Sequence, residues 1–285
     1  MKKLFASIGT ALRKATPLYL ALLVICGILA NAGFKLPSAL QWAYEPVEQT
    51  TAYAAALAED FEAAQAPQEA YPEALNVATG VFQNTYVAAN GDTIDYVIRV
   101  PEGITPNMPL IVYLHEENVA SIPALAATGA VQAADNVGNN ACIIIQPLCA
   151  KTWTAEYQEA LVRELTMHIT NKFYCDASRV VLTGYDTGAA GVWYYAALHP
   201  EFWKSISPIS AAPATDIRPI LGHDIDCYMA YGEFEVYAIK GEMKRVGTQL
   251  VESGATVIRV DVDGAYHDTM RVNAYDDVWF DWACN

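Results

Sequence analysis

The sequence predicts an α/β domain built on a mostly parallel central sheet of about eight strands, with helices on both faces and no cap domain. Runs rich in β-branched residues, such as Leu110-Ile111-Val112-Tyr113-Leu114-His115 and Val180-Val181-Leu182-Thr183, have the continuous apolar texture of strands buried on both sides. Helix-length segments separate them, the alternation that a covered parallel sheet requires. The 285-residue chain is 53% hydrophobic and 17% charged, enough to bury one core of about 200 to 250 residues with an N-terminal extension.

In chain order, residues 1–34 read as an export segment. Lys2, Lys3, Arg13 and Lys14 precede the apolar run Pro17 to Ala30, and Ala30-Asn31-Ala32 is a small-x-small cleavage pattern. The run is shorter than a membrane-spanning helix requires, but extending it to Phe34 makes an uncleaved anchor over 17–34 the alternative to a cleaved signal. Either way the expected location is extracytoplasmic. Leu23-Val24-Ile25 before Cys26 lacks the small residue of a lipoprotein signal. Residues 35–80 are rich in Ala and Glu with Pro46, Pro67 and Pro72; they form a tether in which Thr50 to Ala64 could be helical.

The domain is expected over 81–285. Strands are placed at Gln83 to Ala88, Thr93 to Val100, Leu110 to His115, Cys142 to Gln146, Val180 to Thr183, Ser205 to Ile209, Cys227 to Ala230 and Thr256 to Val260. Helices fit between them at Ile122 to Asp135, Ala155 to Lys172, Ala189 to Leu198, Ala238 to Ser253 and Thr269 to Cys284, with Gly254 as a C-cap. Only Ala211 to Asp226 separates two of the later strands, too little chain for an inserted cap.

The charge balance of 17 basic against 32 acidic residues gives a net charge of -15, which argues against nucleic acid or anionic lipid as a partner. None of the six cysteines has metal-ligand spacing, so neither metal nor cofactor is expected. An oxidising compartment would permit one or two disulfides, while Cys142 and Cys227 lie in apolar runs and read as small buried hydrophobes.

The chemistry is expected at Val180-Val181-Leu182-Thr183-Gly184-Tyr185-Asp186-Thr187-Gly188-Ala189-Ala190-Gly191. A β-branched run there enters an Ala-rich helix through a turn bracketed by Gly184 and Gly188. Such an elbow holds its central residue at strained dihedrals and exposes it at the carboxyl end of the sheet. With the ordered blocks Leu110 to His115, Phe173 to Gly184, His199-Pro200-Glu201-Phe202-Trp203, Tyr231-Gly232-Glu233-Phe234-Glu235 and Ala265-Tyr266-His267-Asp268, residues 81–285 resemble single-domain esterases of the polyhydroxybutyrate depolymerase and feruloyl esterase type. These belong to the α/β-hydrolase superfamily. The resemblance implies ester hydrolysis on a small-molecule or polymer ester, with Asp186 at the nucleophile position, Glu235 at the acid and His267 at the general base. It also implies that the Thr187 N–H helps form an oxyanion hole beside Glu116 and Glu117, with Tyr185 lining the pocket.

Two departures from the resembled pattern bear on activity. Those esterases carry serine where Asp186 stands, and His-Gly where this chain has His115-Glu116-Glu117-Asn118. Carboxylate attack on an ester gives a strained anhydride, and a carboxylate beside a developing oxyanion opposes its charge. Four readings follow: an ester hydrolase with an unusual Asp-Glu-His site; an esterase-like scaffold that binds a ligand, wall polymer or partner without turnover; an alkyl-enzyme hydrolase; and an acidic pocket of His115, Glu116, Glu117, Asp186, Glu235, His267 and Asp268 suited to a hard cation. His168 and His223 read as surface residues and His199 as a packing residue. The aromatic set Trp193, Tyr194, Tyr195, Phe202 and Trp203 reads as core packing around the elbow helix.

Overall fold

The structure, a computed structural model, describes residues 77–117, 119–149 and 151–285. The expected export segment and residues 35–76 of the expected tether, including the helix considered at Thr50 to Ala64, lie outside the described residues. Among the described residues no helix is long and apolar enough to cross a membrane.

The strands are β1 Gly80–Val87, β2 Thr93–Val100, β3 Leu110–Leu114, β4 Ile143–Pro147, β5 Val180–Tyr185, β6 Ser205–Ile209, β7 Asp226–Gly232 and β8 Thr256–Val262. The helices are α1 Ile122–Ala126, α2 Gly129–Val137, α3 Glu156–Phe173, α4 Thr187–Leu198, α5 Tyr237–Glu252, α6 Met270–Asn273 and α7 Asp277–Cys284. The strands form one sheet in the order β1-β2-β4-β3-β5-β6-β7-β8. β2 runs antiparallel to β1 and β4, and every other pair is parallel. This is the α/β-hydrolase fold.

Strand pleating sorts the helices onto two faces. Ile111 and Tyr113 of β3, Ile144 of β4 and Val181 of β5 share one cluster with Val131 and Ala134 of α2 and with Trp279, Phe280 and Ala283 of α7. Their sequence neighbours meet other helices. A Cβ on Gly191 of α4 would lie 3.0 Å from Leu114 Cδ1, and one on Gly247 of α5 would lie 2.9 Å from Met229 Sδ. Between β6 and β7 the chain makes only a single 3-10 turn, Arg218–Ile220, so no cap covers the carboxyl edge of the sheet among the described residues.

β2 and β6 match the expected spans, whereas β5 extends two residues further to Tyr185 and delivers the chain directly into the elbow. Two expected helices are broken. The helix from Ile122 is interrupted before Gly129, whose φ is +61° and whose Cβ would sit 2.3 Å from the Tyr113 ring; the chain needs glycine to pass so close to β3. The segment from Thr269 to Cys284 is split at 274–276. There Asp276 caps α7 by accepting from Trp279 N, and Tyr275 turns inward to meet Thr183 Oγ1 at 3.1 Å.

Candidate active site

β5 ends in the elbow. Asp186 has φ +51° and ψ -116°, a conformation that costs a non-glycine residue about 1–3 kcal/mol. Its N–H donates to the Ile209 carbonyl of β6 at 3.1 Å, while its own carbonyl accepts the first helical bond of α4 from Ala190 N. The bracketing glycines are steric necessities. A Cβ on Gly188 would lie 1.9 Å from the Leu114 carbonyl oxygen, and one on Gly184 would lie 2.6 Å from the Gly188 carbonyl carbon. The elbow therefore presses against the end of β3 and turns Asp186 to the carboxyl edge.

The acid and the histidine leave adjacent strands at one level, since Gly232 pairs with Val262. Their loops are stitched together: Phe234 N donates to the Ala265 carbonyl at 2.9 Å and Glu233 N to that of Val262 at 2.9 Å. Gly264 N donates to Glu233 Oε2 at 2.8 Å. Gly232 permits this approach, because its Cβ would meet the Ala265 oxygen at 2.4 Å. As a result Glu235, with its side chain fully buried, faces His267 Nδ1 at 2.9 and 3.0 Å through its two oxygens. The Val236 N–H also donates to Glu235 Oε1 at 2.8 Å. On the other side of the ring, His267 Nε2 lies 3.6 Å from Asp186 Oδ1, an electrostatic contact rather than a full hydrogen bond.

Thus the three residues that the sequence assigns to nucleophile, base and acid positions meet in one line, with a positive ring between two carboxylates. The Asp186 carboxylate, then Glu235, raise the His267 pKa to about 9 against the opposing effect of partial burial. Reciprocally, His267 and then the Thr187 backbone hold Asp186 below the ordinary carboxylate range. A histidine whose pKa is raised on folding stabilises the protein fully below its unfolded value of roughly 6.5, and that stability is lost as pH rises through about 9. Urea denaturation between pH 7 and 10 is expected to show the natural chain losing more stability than a His267→Gln variant. Parallel pH curves would contradict the ion pair.

Other expected pocket residues behave differently. Tyr185 is not an open pocket wall: it is buried, its hydroxyl donates to the His267 carbonyl at 2.9 Å, and its ring lies 5.3 Å from the imidazole. It acts as a strut under the histidine loop. Its hydroxyl pKa is pushed up by burial and then by Asp186, Glu116, Glu235 and Asp268, which places four carboxylates around it. Glu116 is buried and accepts from the Tyr113 hydroxyl at 3.3 Å, with Arg271 Nη1 3.9 Å from its other oxygen. Glu117 is exposed. The Thr187 hydroxyl is buried without a hydrogen-bond partner.

His115 does not join the group. Its Nε2 accepts from Cys149 N at 3.0 Å, which leaves the proton on Nδ1 to donate to the Glu116 carbonyl at 2.7 Å, and burial lowers its pKa. This correction removes the imidazole from the cation pocket considered above. Among the described residues no group of three His, Cys, Asp or Glu is placed to hold a metal ion. His168 and His223 are exposed, and His199 is engaged by Glu201 and Arg163 at 3.1 and 3.3 Å. Trp193, Tyr195, Phe202 and Trp203 are buried around α4, the packing role expected of them.

Sequence reasoning missed Arg271, Tyr113 and the aromatic rim. Arg271 stands four residues after His267, a spacing that carried no motif. Tyr113 looked like any strand residue. Phe234 and Tyr266, each next to a site residue and both exposed, have ring centroids 4.8 Å apart. Together with exposed Val236 and, at the first residue of α5, exposed Tyr237, they form an apolar margin beside Glu235 and His267.

Solved structures of similar shape include esterases and other hydrolases. A thermostable esterase matches with TM-score 0.55 and 18% identity over 71% of this chain; the chain spans 62% of that protein's length. A serine-to-alanine mutant of the feruloyl esterase module from Clostridium thermocellum, complexed with sinapinate, matches with TM-score 0.54 and 15% identity, covering 70% of this chain and 87% of that one. An S-formylglutathione hydrolase from Agrobacterium tumefaciens matches with TM-score 0.55 and 13% identity, covering 73% and 96%. No protein-family model and no curated protein matches the sequence. At these identities the likeness defines the fold, that of the esterases and serine hydrolases; the chemistry has to come from the site itself.

Proposed function

We propose that the chain is an exported protein of the carboxylic ester hydrolase class whose Asp186-His267-Glu235 site rests as an ion-paired triad. In this reading it holds a small-molecule or polymer ester without serine-type turnover at neutral pH. The observation that carries the proposal is the histidine between two carboxylates, Nδ1 at 2.9 Å from Glu235 and Nε2 at 3.6 Å from Asp186. An imidazolium with a pKa near 9 cannot accept a proton at pH 7, so the base that acyl transfer needs is occupied. Attack by Asp186 itself would form an anhydride with poor expulsion of the alkoxide. The apolar margin of Phe234, Tyr266, Val236 and Tyr237 suits the non-polar part of an ester ligand, and residues 1–34 support export.

A carboxylate on the elbow also suits alkyl transfer, as in dehalogenases and epoxide hydrolases of this fold. The single 3-10 turn between β6 and β7, however, offers no cap to hold a departing group, so the ester reading is kept. The test is hydrolysis of p-nitrophenyl acetate and butyrate at pH 7 by the full chain and by His267→Ala. Equal rates, close to the background without protein, are expected. Turnover by the natural chain that disappears in His267→Ala would overturn the proposal.

A further inference from the structure

At the edge of the sheet opposite the elbow, the last turn of α7 meets the start of β4. In the parallel register, Leu110 of β3 pairs with both Ile143 of β4 and Val180 of β5, so Cys142 and Arg179 sit just before neighbouring strand starts on either side of β3. Arg179 Nη1 donates to the carbonyl oxygen of Cys284 at 3.1 Å, drawing the end of α7 over this edge. Cys142 Sγ lies 3.5 Å from Asn139 Oδ1. Cys142 and then Asn139 are the side chains that most favour ionisation of the Cys284 thiol, and both cysteines, free thiols here, belong to the core cluster that carries α2 and α7.

We infer that Cys142 and Cys284 form a disulfide site that fastens the C-terminal helix to the sheet. Forming it brings the two sulfurs to a bond of about 2.0 Å. The three other described cysteines have separate surroundings; Cys175, for example, directs its thiol to the Ile169 carbonyl at 3.9 Å.

The oxidant is a disulfide, for which oxidised glutathione serves as the probe. The Cys284 thiolate attacks one of its sulfurs, giving a mixed disulfide and releasing one glutathione thiolate. Cys142 then loses its proton and attacks the Cys284 sulfur, releasing the second. Two protein thiols are oxidised by two electrons, and the two protons they lose are taken up by the two glutathione thiolates, which end as thiols. The bond would close a loop of about 140 residues, the length range in which cross-linking restricts the unfolded chain most. That loop contains Asp186, Glu235 and His267.

The test is oxidation of the full chain with oxidised glutathione, alkylation of the remaining thiols under denaturing conditions, and peptide mapping without reductant. A Cys142-peptide joined to a Cys284-peptide is expected. The Tm should exceed that of the reduced protein by roughly 5–10 °C, a difference absent from Cys284→Ala. Recovery of both cysteines alkylated, of either carrying glutathione alone, or of either joined to another cysteine would overturn the inference. The mapping is made on the natural sequence, so the result does not depend on a variant folding.

Discussion

Replacing Asp186 by serine is expected to create an esterase. The elbow already supplies the strained position, and Gly184 and Gly188 supply the room for it. Glu235 already fixes the histidine from Nδ1. What the natural residue withholds is a neutral imidazole, because the carboxylate facing Nε2 is the first cause of the raised His267 pKa. A hydroxyl there is uncharged and gives up its proton to the ring on attack. The fold's nucleophile–base pair then operates at pH 7. Hydrolysis of p-nitrophenyl acetate by Asp186→Ser should exceed that of the natural chain by at least about 100-fold. The gain should vanish in Asp186→Ser/His267→Ala. A variant that folds but stays at background would show that the loop carrying Glu116, and not the missing serine, silences the site.

The largest stability effect is expected at Gly188. A Cβ there would lie 1.9 Å from the Leu114 carbonyl oxygen, a backbone atom fixed in the middle of the sheet. Gly188→Ala must therefore push α4 away from β3 or unseat the elbow, at a cost of about 3 kcal/mol or more. For a domain of this size that lowers Tm by roughly 6–12 °C. Gly241, on α5, has open space where its Cβ would be, and Gly241→Ala should instead stabilise by about 0.5–1 kcal/mol. Thermal melts of the two variants beside the natural chain check the contrast. A Gly188→Ala protein melting with the natural chain would mean that the close approach at the elbow is not built as described.

The fold was legible because its signals are local. β-branched runs between helix-length segments marked the parallel strands, and the small residues around Asp186 marked the one place where a strand must turn abruptly into a helix. The resemblance to esterases then supplied Glu235 as the acid and His267 as the histidine, and the pairing of Gly232 with Val262 explains why the two meet although 31 residues stand between them in the sequence. The features that escaped depend on tertiary contacts. That His115 stays out of the acidic pocket is decided by Cys149 N, which donates to its ring. Tyr185 could be placed beside the elbow, but its bond to the His267 carbonyl needs two loops to be positioned together. The break before Gly129 follows from the Tyr113 ring beneath it, which no helical periodicity within 122–135 encodes.

The central claim is that Asp186 keeps His267 charged at neutral pH. NMR titration of the histidine ring in the full chain, beside Asp186→Asn, measures this directly. A His267 pKa near 9 in the natural chain, falling by at least about one unit in the variant, is the predicted result, since the asparagine amide keeps the shape and removes the charge. A natural-chain value near 6.5, the ordinary one for histidine, would leave the ring free to act as a base at pH 7 and would contradict the resting triad.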